Sequence, residues 1–306
     1  MTVLSASIVI ATKNRIDELR VALRSAFSQR NVHEVIVIDD GSTDGSSEMV
    51  AREYPQARLY INQTSIGYIA SRNIGANLAT GDVVFSVDDD AEFSSPDICE
   101  RILPLFASPR IAAVAIPYRE PYKENILRQF PIDPYFVWIT NSFIGTSHAI
   151  RRDLFLELGG YRESLVHQGE EDDFAIRLLD NGFFVALGVS PEILHYESPK
   201  RDFRRMDYYG ARNQLLWVWS YTPLLILPFF FLLRFFRQLQ FALHLNRSHR
   251  QFQGIRDAFL EISRGWHRSP VTISSFLLFF RLKRRSFLLS KFDTGLGGAL
   301  TPISLI

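Results

Sequence analysis

The segment EVIVIDDGSTDG, which runs from Glu34 to Gly45, places an apolar run directly before two acids and a turn-forming sequence. Val35 to Ile38 are β-branched and uninterrupted, which predicts a strand buried on both faces, as in a parallel sheet covered by helices. In open α/β sheets, ligands usually bind in the crevice at the carboxyl ends of the strands. We therefore expect Asp39 and Asp40 at the mouth of a binding site.

Strand and helix patterns alternate over the first hundred residues. SASIVI, ARLYIN and VVFSVDDD predict three more strands, and helical patterns lie between them. Such alternation predicts a parallel, right-handed, doubly wound α/β sheet. A looser series of strands and short helices follows.

Composition and charge divide the chain in two. Its 306 residues, 47% of them hydrophobic, can bury a large core. The single cysteine, Cys99, excludes an internal disulfide, and the N-terminus lacks a signal-peptide pattern, so a cytoplasmic location is expected. The net charge of +1 conceals −11 over residues 1–198 and +12 over residues 199–306. An acidic body with a basic, apolar tail suggests attachment to an anionic membrane, although nucleic acid could also attract such a tail.

A second group of acids follows the fourth predicted strand. Asp88, Asp89 and Asp90 come directly after an apolar run, so they should emerge at the same sheet edge as Asp39 and Asp40. Carboxylates this close repel one another unless a cation joins them, and their oxygens suit Mg²⁺ or Mn²⁺, which often bind substrate phosphates as well. The pattern favours a nucleoside diphosphate site over solvated acids in helix-capping turns.

The sequence lacks the usual phosphate-binding loops. There is no P-loop, and no G-x-G-x-x-G follows a strand; GLGG at residues 295–298 has the wrong context. We therefore expect metal and side chains to hold the diphosphate.

Six segments, in order, resemble the family 2 nucleotide-sugar glycosyltransferases. They are SIVIATKNR, VIVIDDGSTDGS, SIGYIASRNIGANLATGD, VFSVDDDAEF, GTSHAIRRDLFLELGGY and EEDDFAIRLLDNGF. The resemblance covers about residues 5–215. It implies the Rossmann-like GT-A fold, a mixed sheet flanked by helices, and a metal-dependent, inverting transfer of a sugar from a nucleoside diphosphate to an acceptor hydroxyl.

The resemblance implies a nucleotide-binding role for four residues outside the second acid group. Ala11 and Thr12 would line the nucleobase pocket, and Asp40 would accept a hydrogen bond from the base. Arg72, within the SRN match, would contact the nucleotide.

The second acid group matches the family's D-x-D motif. Asp88 would face the ribose, Asp90 would bind the metal, and Asp89 would occupy the variable middle position. His195 matches a histidine that some relatives use as a third metal ligand, although a lone histidine near a strand is often structural.

A further acidic pair is expected to supply the general base. A sugar hydroxyl is a poor nucleophile, so a carboxylate must take its proton as the C–O bond forms. Aligning the family's motif on Phe174 and Arg177 places Glu170 and Glu171 at the acidic pair, and Glu171 is then the predicted base. Glutamate replaces the commoner aspartate here, so Glu170 or Asp172 could share the role. Acids that merely suit a helix N-terminus are the alternative.

The resemblance assigns acceptor binding to three residues between positions 138 and 145 and to Glu170. Trp138, Asn141 and Gly145 lie where the family's acceptor pocket forms, with Glu170 beside it. Trp138 could stack on a sugar or belong to the core.

The C-terminal region is expected to be helical. Residues 215–233 carry no charge but contain two prolines, and VTISSFLLFF is followed by the basic RLKRR at residues 281–285. This favours helices lying on anionic lipid over a true span, with packing on the catalytic domain or in a dimer as the alternative. We predict a catalytic domain at 1–213 and a membrane-associating region at 214–306.

The predicted function is a non-processive hexosyl- or deoxyhexosyltransferase with Mn²⁺ or Mg²⁺ as cofactor. Its acceptor would be a glycan or lipid-linked hydroxyl in cell-envelope polysaccharide synthesis, at the cytoplasmic membrane face. Only QLLW at residues 214–217 approaches the Q-x-x-R-W motif of processive synthases, and no nucleic-acid motif is present. A sugar nucleotidyltransferase, which lacks support because its glycine-rich N-terminal loop is missing, and a nucleotide-sugar-binding scaffold are the alternatives. The sequence leaves open whether the protein forms a homodimer.

Overall fold

The computed structural model describes residues 4–196, 202–244 and 248–289. The strands are β1 (Ala6–Thr12), β2 (Val32–Asp39), β3 (Arg58–Ile61), β4 (Val83–Asp88), β5 (Ala91–Phe93), β6 (Ile111–Ala115), β7 (Tyr118–Arg119), β8 (Trp138–Thr140), β9 (His148–Arg151), β10 (Phe184–Leu187), β11 (Ile193–His195) and β12 (Phe287–Leu288).

The helices surround these strands. They are α1 (Ile16–Phe27), α2 (Ser46–Glu53), α3 (Tyr68–Leu78), α4 (Ile98–Ile102), α5 (Arg152–Glu157), α6 (Glu170–Asp180), α7 (Phe203–Tyr221), α8 (Leu227–His244), α9 (Ser248–Ser263) and α10 (Ile273–Arg284), with 3₁₀ turns at Leu103–Ala107 and Glu163–Leu165.

Over the described ranges, nine strands form one mixed sheet in the order β12-β8-β10-β6-β9-β4-β1-β2-β3. The neighbours β3, β2, β1 and β4 are parallel, and β9 runs antiparallel to both β4 and β6. The side chains of Ile8, Ile10, Ile36, Ile38 and Phe85 are fully buried on this parallel half. Burying one such side chain stabilises a fold by roughly 1.5–3 kcal/mol. The predicted α/β class and the parallel N-terminal half are confirmed.

A smaller sheet, in the order β5-β11-β7, stands at the edge where β4 ends. β5 begins directly after Asp89 and Asp90, and its antiparallel register sets Ala91 opposite His195 at the end of β11. This pairing brings a residue about one hundred positions away beside the second acid group.

The predicted C-terminal helical extension is present. α7 continues through residues 213 and 214, so the predicted domain boundary falls inside a helix. α10 buries Phe276, Phe279 and Leu282 in the main core, and β12 pairs with β8. The uncharged stretch 215–233 is divided between α7 and α8, because Pro223 disfavours helical backbone at the preceding residue. Among the described residues, no helix has the length and apolarity needed to cross a membrane.

Candidate active site

A cleft of about 730 Å³ opens at the carboxyl ends of β1, β2 and β4. The strand register brings these ends together, because Ala11 of β1 pairs with Asp88 of β4 and Thr12 pairs with Asp39 of β2. Eleven of the thirteen predicted site residues line the cleft, namely Ala11, Thr12, Asp40, Arg72, Asp88, Asp89, Asp90, Gly145, Glu170, Glu171 and His195. The expectation that both acid groups share one sheet edge is therefore confirmed.

Two of the predicted acceptor residues lie elsewhere. Trp138 and Asn141 are not among the residues that line the cleft. The Trp138 indole N–H donates to Asp133 at 3.1 Å, within the segment around β8. The structure brings Gly145 and Glu170 to the site without these two.

Asp40 is buried beneath one wall of the cleft. Its Oδ1 accepts hydrogen bonds from Asn62 and the Ile66 N–H, and its Oδ2 accepts from Ser65 and the Gly67 N–H, at 2.6–2.9 Å. Burial works to raise the pKa of Asp40, but these four bonds outweigh it and hold the pKa below its ordinary value. The carboxylate therefore shapes the loop at 65–67; a hydrogen bond to a base stays a prediction.

Arg15, which sequence reasoning missed, lines the cleft and forms ion pairs with the second acid group. Its Nη1 lies 2.9 Å from Asp89 Oδ1 and 2.5 Å from Asp90 Oδ2. Thr12 donates to the other oxygen of Asp89 at 2.9 Å. Burial raises the pKa of Asp89 to about 7 despite Arg15. The available sequence signal was that Arg15 is a cation three residues after the end of β1.

Asp88, Asp90 and His195 bring together three side-chain atoms that could hold a metal ion. One ligand atom from each lies within 4.8 Å of the others. His195 Nε2 is 3.2 Å from Asp90 Oδ1, and its Nδ1 is 3.6 Å from Glu120. Burial works to lower the pKa of His195, but Asp90, Asp88 and Glu120 outweigh it and raise the pKa. Two carboxylates and an imidazole suit Mn²⁺ or Mg²⁺, with Mn²⁺ accepting the nitrogen ligand more readily.

Arg72 links Asp88 to Glu170 of the acidic pair. Its Nη2 lies 2.5 Å from Asp88 Oδ1, and its Nη1 lies 3.1 Å from Glu170 Oε1. The guanidinium stands 4.8 Å from the centre of the Tyr68 ring, and the Tyr68 hydroxyl donates to Glu170 at 3.3 Å. Arg72 and Glu170 are both buried. Glu170 is therefore already engaged on both carboxylate oxygens.

Glu171 faces the cleft and keeps some solvent exposure. The Gly145 N–H donates to its Oε1 at 3.1 Å. A Cβ at Gly145 would stand 2.8 Å from this oxygen and from Arg72 Nη1, so glycine permits the close approach. Burial, and then the charge of Glu170, raises the pKa of Glu171 to about 8.

The segment before α6 is strained and held by a residue that sequence reasoning missed. Val166 and Gln168 have φ of 62° and 67°, which is uncommon outside glycine and costly for a β-branched side chain. Asn213 of α7 donates to the carbonyls of Leu165, His167 and Gln168 at 2.8–2.9 Å. No local sequence pattern marks Asn213, because its partners lie more than forty positions away.

Comparison with known proteins shows similarity to a family of glycosyltransferases. A family model described as "Glycosyl transferase family 2" matches residues 7–159, half of the chain. An uncharacterized glycosyltransferase of Haemophilus influenzae is 28% identical over 199 residues, covering 62% of this chain and 67% of that protein. The O-antigen chain rhamnosyltransferase WbaN of Salmonella anatum is 26% identical over 190 residues. That match covers 56% of this chain and 60% of WbaN, so the chain spans less than two thirds of that relative.

A solved structure shares the fold. The mannosyltransferase PcManGT of Pyrobaculum calidifontis, determined with GDP-Man and Mn²⁺, superimposes with a TM-score of 0.56 over 92% of this chain and 80% of that one. The identity is 18%, so the likeness concerns the fold alone. It confirms the predicted GT-A architecture.

Proposed function

Because this chain belongs to glycosyl transferase family 2, we propose that it transfers a sugar, with inversion and with Mn²⁺ or Mg²⁺ bound, from a nucleoside diphosphate to an acceptor hydroxyl. The observation that carries the proposal is the meeting of two sets of groups in one cleft. Asp88, Asp90 and His195 stand at one side, and Glu171 stands at another, with Arg72 between them.

The donor side suits a diphosphate with a metal ion. Asp88, Asp90 and His195 would hold the ion, which when bound offsets the charge that develops on the leaving diphosphate. Arg15 pairs with Asp90 and Arg72 pairs with Asp88, so each proposed carboxylate ligand shares its charge with an arginine, and the ion would bind beside these two cations. The Mn²⁺ in PcManGT supports this assignment.

The acceptor side needs a base. We assign this role to Glu171, whose carboxylate would take the hydroxyl proton as the acceptor oxygen bonds to the anomeric carbon and the bond to the diphosphate breaks. Glu170 is occupied by Arg72 and Tyr68, so it serves as a positioning residue. The Gly145 N–H orients the Glu171 carboxylate.

The proposed setting is the cytoplasmic face of the membrane, in cell-envelope polysaccharide synthesis. The charge of +12 over residues 199–306 and the exposed apolar residues of α8 support contact with anionic lipid. The O-antigen role of the Salmonella relative supports a glycan or lipid-linked acceptor and a hexose or deoxyhexose donor.

A thermal-shift screen tests the donor site. UDP, GDP, dTDP and CMP are added with and without Mn²⁺ to wild type, to Asp90→Asn and to the exposed control Asp17→Asn. One nucleotide should stabilise wild type and the control only with Mn²⁺, by about 2.7 kcal/mol at a hundredfold excess over Kd, and Asp90→Asn should lose the effect. Equal stabilisation of all three proteins, or of none, contradicts the proposed metal-dependent site.

A further inference from the structure

A second pocket, of about 180 Å³, adjoins the cleft between α6, α7, α8 and α10. Gln168 lines both, and the first turn of α6 presents Glu171 to the cleft and Asp172 to the smaller pocket. Its volume lies below the roughly 300 Å³ at which pockets begin to hold whole small molecules. The pocket therefore fits one group of a larger ligand, within one helical turn of Glu171.

The pocket contains a guanidinium that lacks an acceptor. The Nε of Arg234 is buried and has no hydrogen-bond partner in the part of the chain that the structure describes. The Arg234 guanidinium stands 5.1 Å and 5.6 Å from the ring centres of Phe230 and Phe280. A buried N–H of a charged group without an acceptor is unfavourable, so a ligand that supplies one would be bound strongly here.

The charges of the lining favour an anion. The charged lining residues are Arg234, Lys283 and Asp172, which makes two cations against one carboxylate. Lys283 Nζ lies 3.2 Å from Asp172 Oδ2, so the carboxylate is already paired and Arg234 supplies the excess positive charge. Trp217 and Phe279 complete an apolar wall. Arginine with lysine in such a setting is typical of phosphate recognition.

The surface beside the pocket is apolar. α8, which carries Arg234, also exposes large side chains at helical spacing: Phe229 is 80% exposed, followed by Leu232, Leu233 and Phe236. Leu225, in the turn just before α8, is 81% exposed. Soluble proteins rarely expose so many large apolar side chains in one continuous patch. An anionic pocket at the edge of such a face fits a ligand with a phosphate head and a hydrocarbon chain.

We propose that this pocket binds the phosphate of a lipid-linked acceptor, with the hydrocarbon chain lying along the exposed face of α8. That the bound lipid is the acceptor rests on the proposed function. That the pocket binds a phosphate-bearing lipid does not depend on it. The Arg234 guanidinium, which lines the pocket, would donate to a phosphate oxygen, and Lys283 would add charge.

Isothermal titration calorimetry with farnesyl monophosphate, farnesol and inorganic phosphate tests the proposal without donor or metal. Variants are Arg234→Gln, Lys283→Gln and the matched control Arg237→Gln, which removes one exposed cation from the same helix. Farnesyl monophosphate should bind at least tenfold more weakly to Arg234→Gln than to wild type, with Lys283→Gln also weakened. Arg237→Gln should bind it only slightly more weakly than wild type, because the Arg237 charge acts on Arg234 but its side chain does not line the pocket. Farnesol and inorganic phosphate should each bind at least tenfold more weakly than farnesyl monophosphate.

Four outcomes overturn the proposal. Equal weakening by Arg234→Gln and Arg237→Gln indicates general charge attraction. Equal affinity for farnesol indicates an apolar site, and equal affinity for inorganic phosphate indicates a site for free phosphate. A dimer that Phe229→Ser dissociates, with no farnesyl monophosphate bound, assigns the α8 face to a second copy.

If Arg234→Gln does not fold, Lys283→Gln and the ligand series decide. Nucleotide binding with Mn²⁺ should be unchanged in Arg234→Gln, which separates failure here from failure of the donor site.

Discussion

At the scale of single residues, the two adjacent glutamates at the start of α6 differ because packing gives them different neighbours. Glu170 is buried against Arg72 and Tyr68, whereas Glu171 faces the cleft and accepts one bond from the Gly145 backbone. The family resemblance predicted Glu171 as the base and left Glu170 or Asp172 as alternatives. The contacts favour the first assignment.

Replacing the Glu171 carboxylate tests its role directly. Glu171→Gln keeps the size of the side chain but cannot accept a proton, so we expect kcat to fall by roughly 10²–10⁴, the usual contribution of a general base. Donor binding should persist, as measured by calorimetry with the nucleotide that the thermal-shift screen selects. Full turnover by Glu171→Gln would transfer the role to another group. No turnover by wild type with any donor would favour a scaffold.

The pH dependence of the reaction follows from the same carboxyl. Its pKa of about 8 means that the carboxylate is the minor form at neutral pH. A base works deprotonated, so kcat/KM should rise about tenfold per pH unit below about pH 8 and level off above it. Stopped assays from pH 6 to 9 measure the profile. A flat profile between pH 6 and 8 argues against Glu171 as the base in the free enzyme.

At the scale of elements, α7 positions the strained segment that leads into α6. The two amide N–H groups of Asn213 in α7 are shared among three carbonyls, and the Tyr68 hydroxyl of α3 accepts from the Gln168 N–H at 2.8 Å. The acidic pair thus depends on contacts from two helices distant in sequence. This is why the helix could be predicted but its exact presentation could not.

Removing the Asn213 amide should loosen this segment. Asn213→Ala leaves buried carbonyls without donors, so we expect a loss of about 1–3 kcal/mol in the free energy of unfolding and a lower kcat with little change in nucleotide affinity. Asn77→Ala is the matched control, since the exposed Asn77 amide makes a single bond to the Asn73 carbonyl. Denaturant unfolding and steady-state kinetics measure both effects. Equal destabilisation of the two variants would show that Asn213 has no special positioning role.

At the scale of the whole molecule, charge and apolar surface are unevenly distributed. Residues 1–198 carry −11 and residues 199–306 carry +12, and α8 adds a row of exposed leucines and phenylalanines. The described C-terminal segments do not form a separate unit, because α10 and β12 complete the main core and sheet. Attachment to a surface would therefore hold the catalytic cleft in a defined orientation.

Vesicle sedimentation tests this attachment. The full chain should bind vesicles that contain phosphatidylglycerol, bind phosphatidylcholine vesicles far less, and dissociate as salt rises. The double variant Leu225→Ser and Phe229→Ser should weaken binding at least tenfold. The control Ile132→Ser, which removes a 71% exposed isoleucine outside the C-terminal region, should not. Equal loss in both variants would exclude α8 and the turn before it as the membrane-facing element.

Local patterns predicted four strands of the first hundred residues, the acids that follow two of them and the helix that begins at the acidic pair. These features depend on residues close together in the chain, whose periodicity and turn chemistry report burial directly. Packing in three dimensions shows that Arg15 neutralises Asp89 and Asp90 and that Arg72 engages Glu170. It also brings His195, which the resemblance had matched to a metal ligand, to 3.2 Å from Asp90. It also decided that Asn213 holds the strained segment and that Trp138 lies away from the cleft. Each of these contacts joins residues far apart in the chain, and local patterns carry no information on which faces of distant elements pack together.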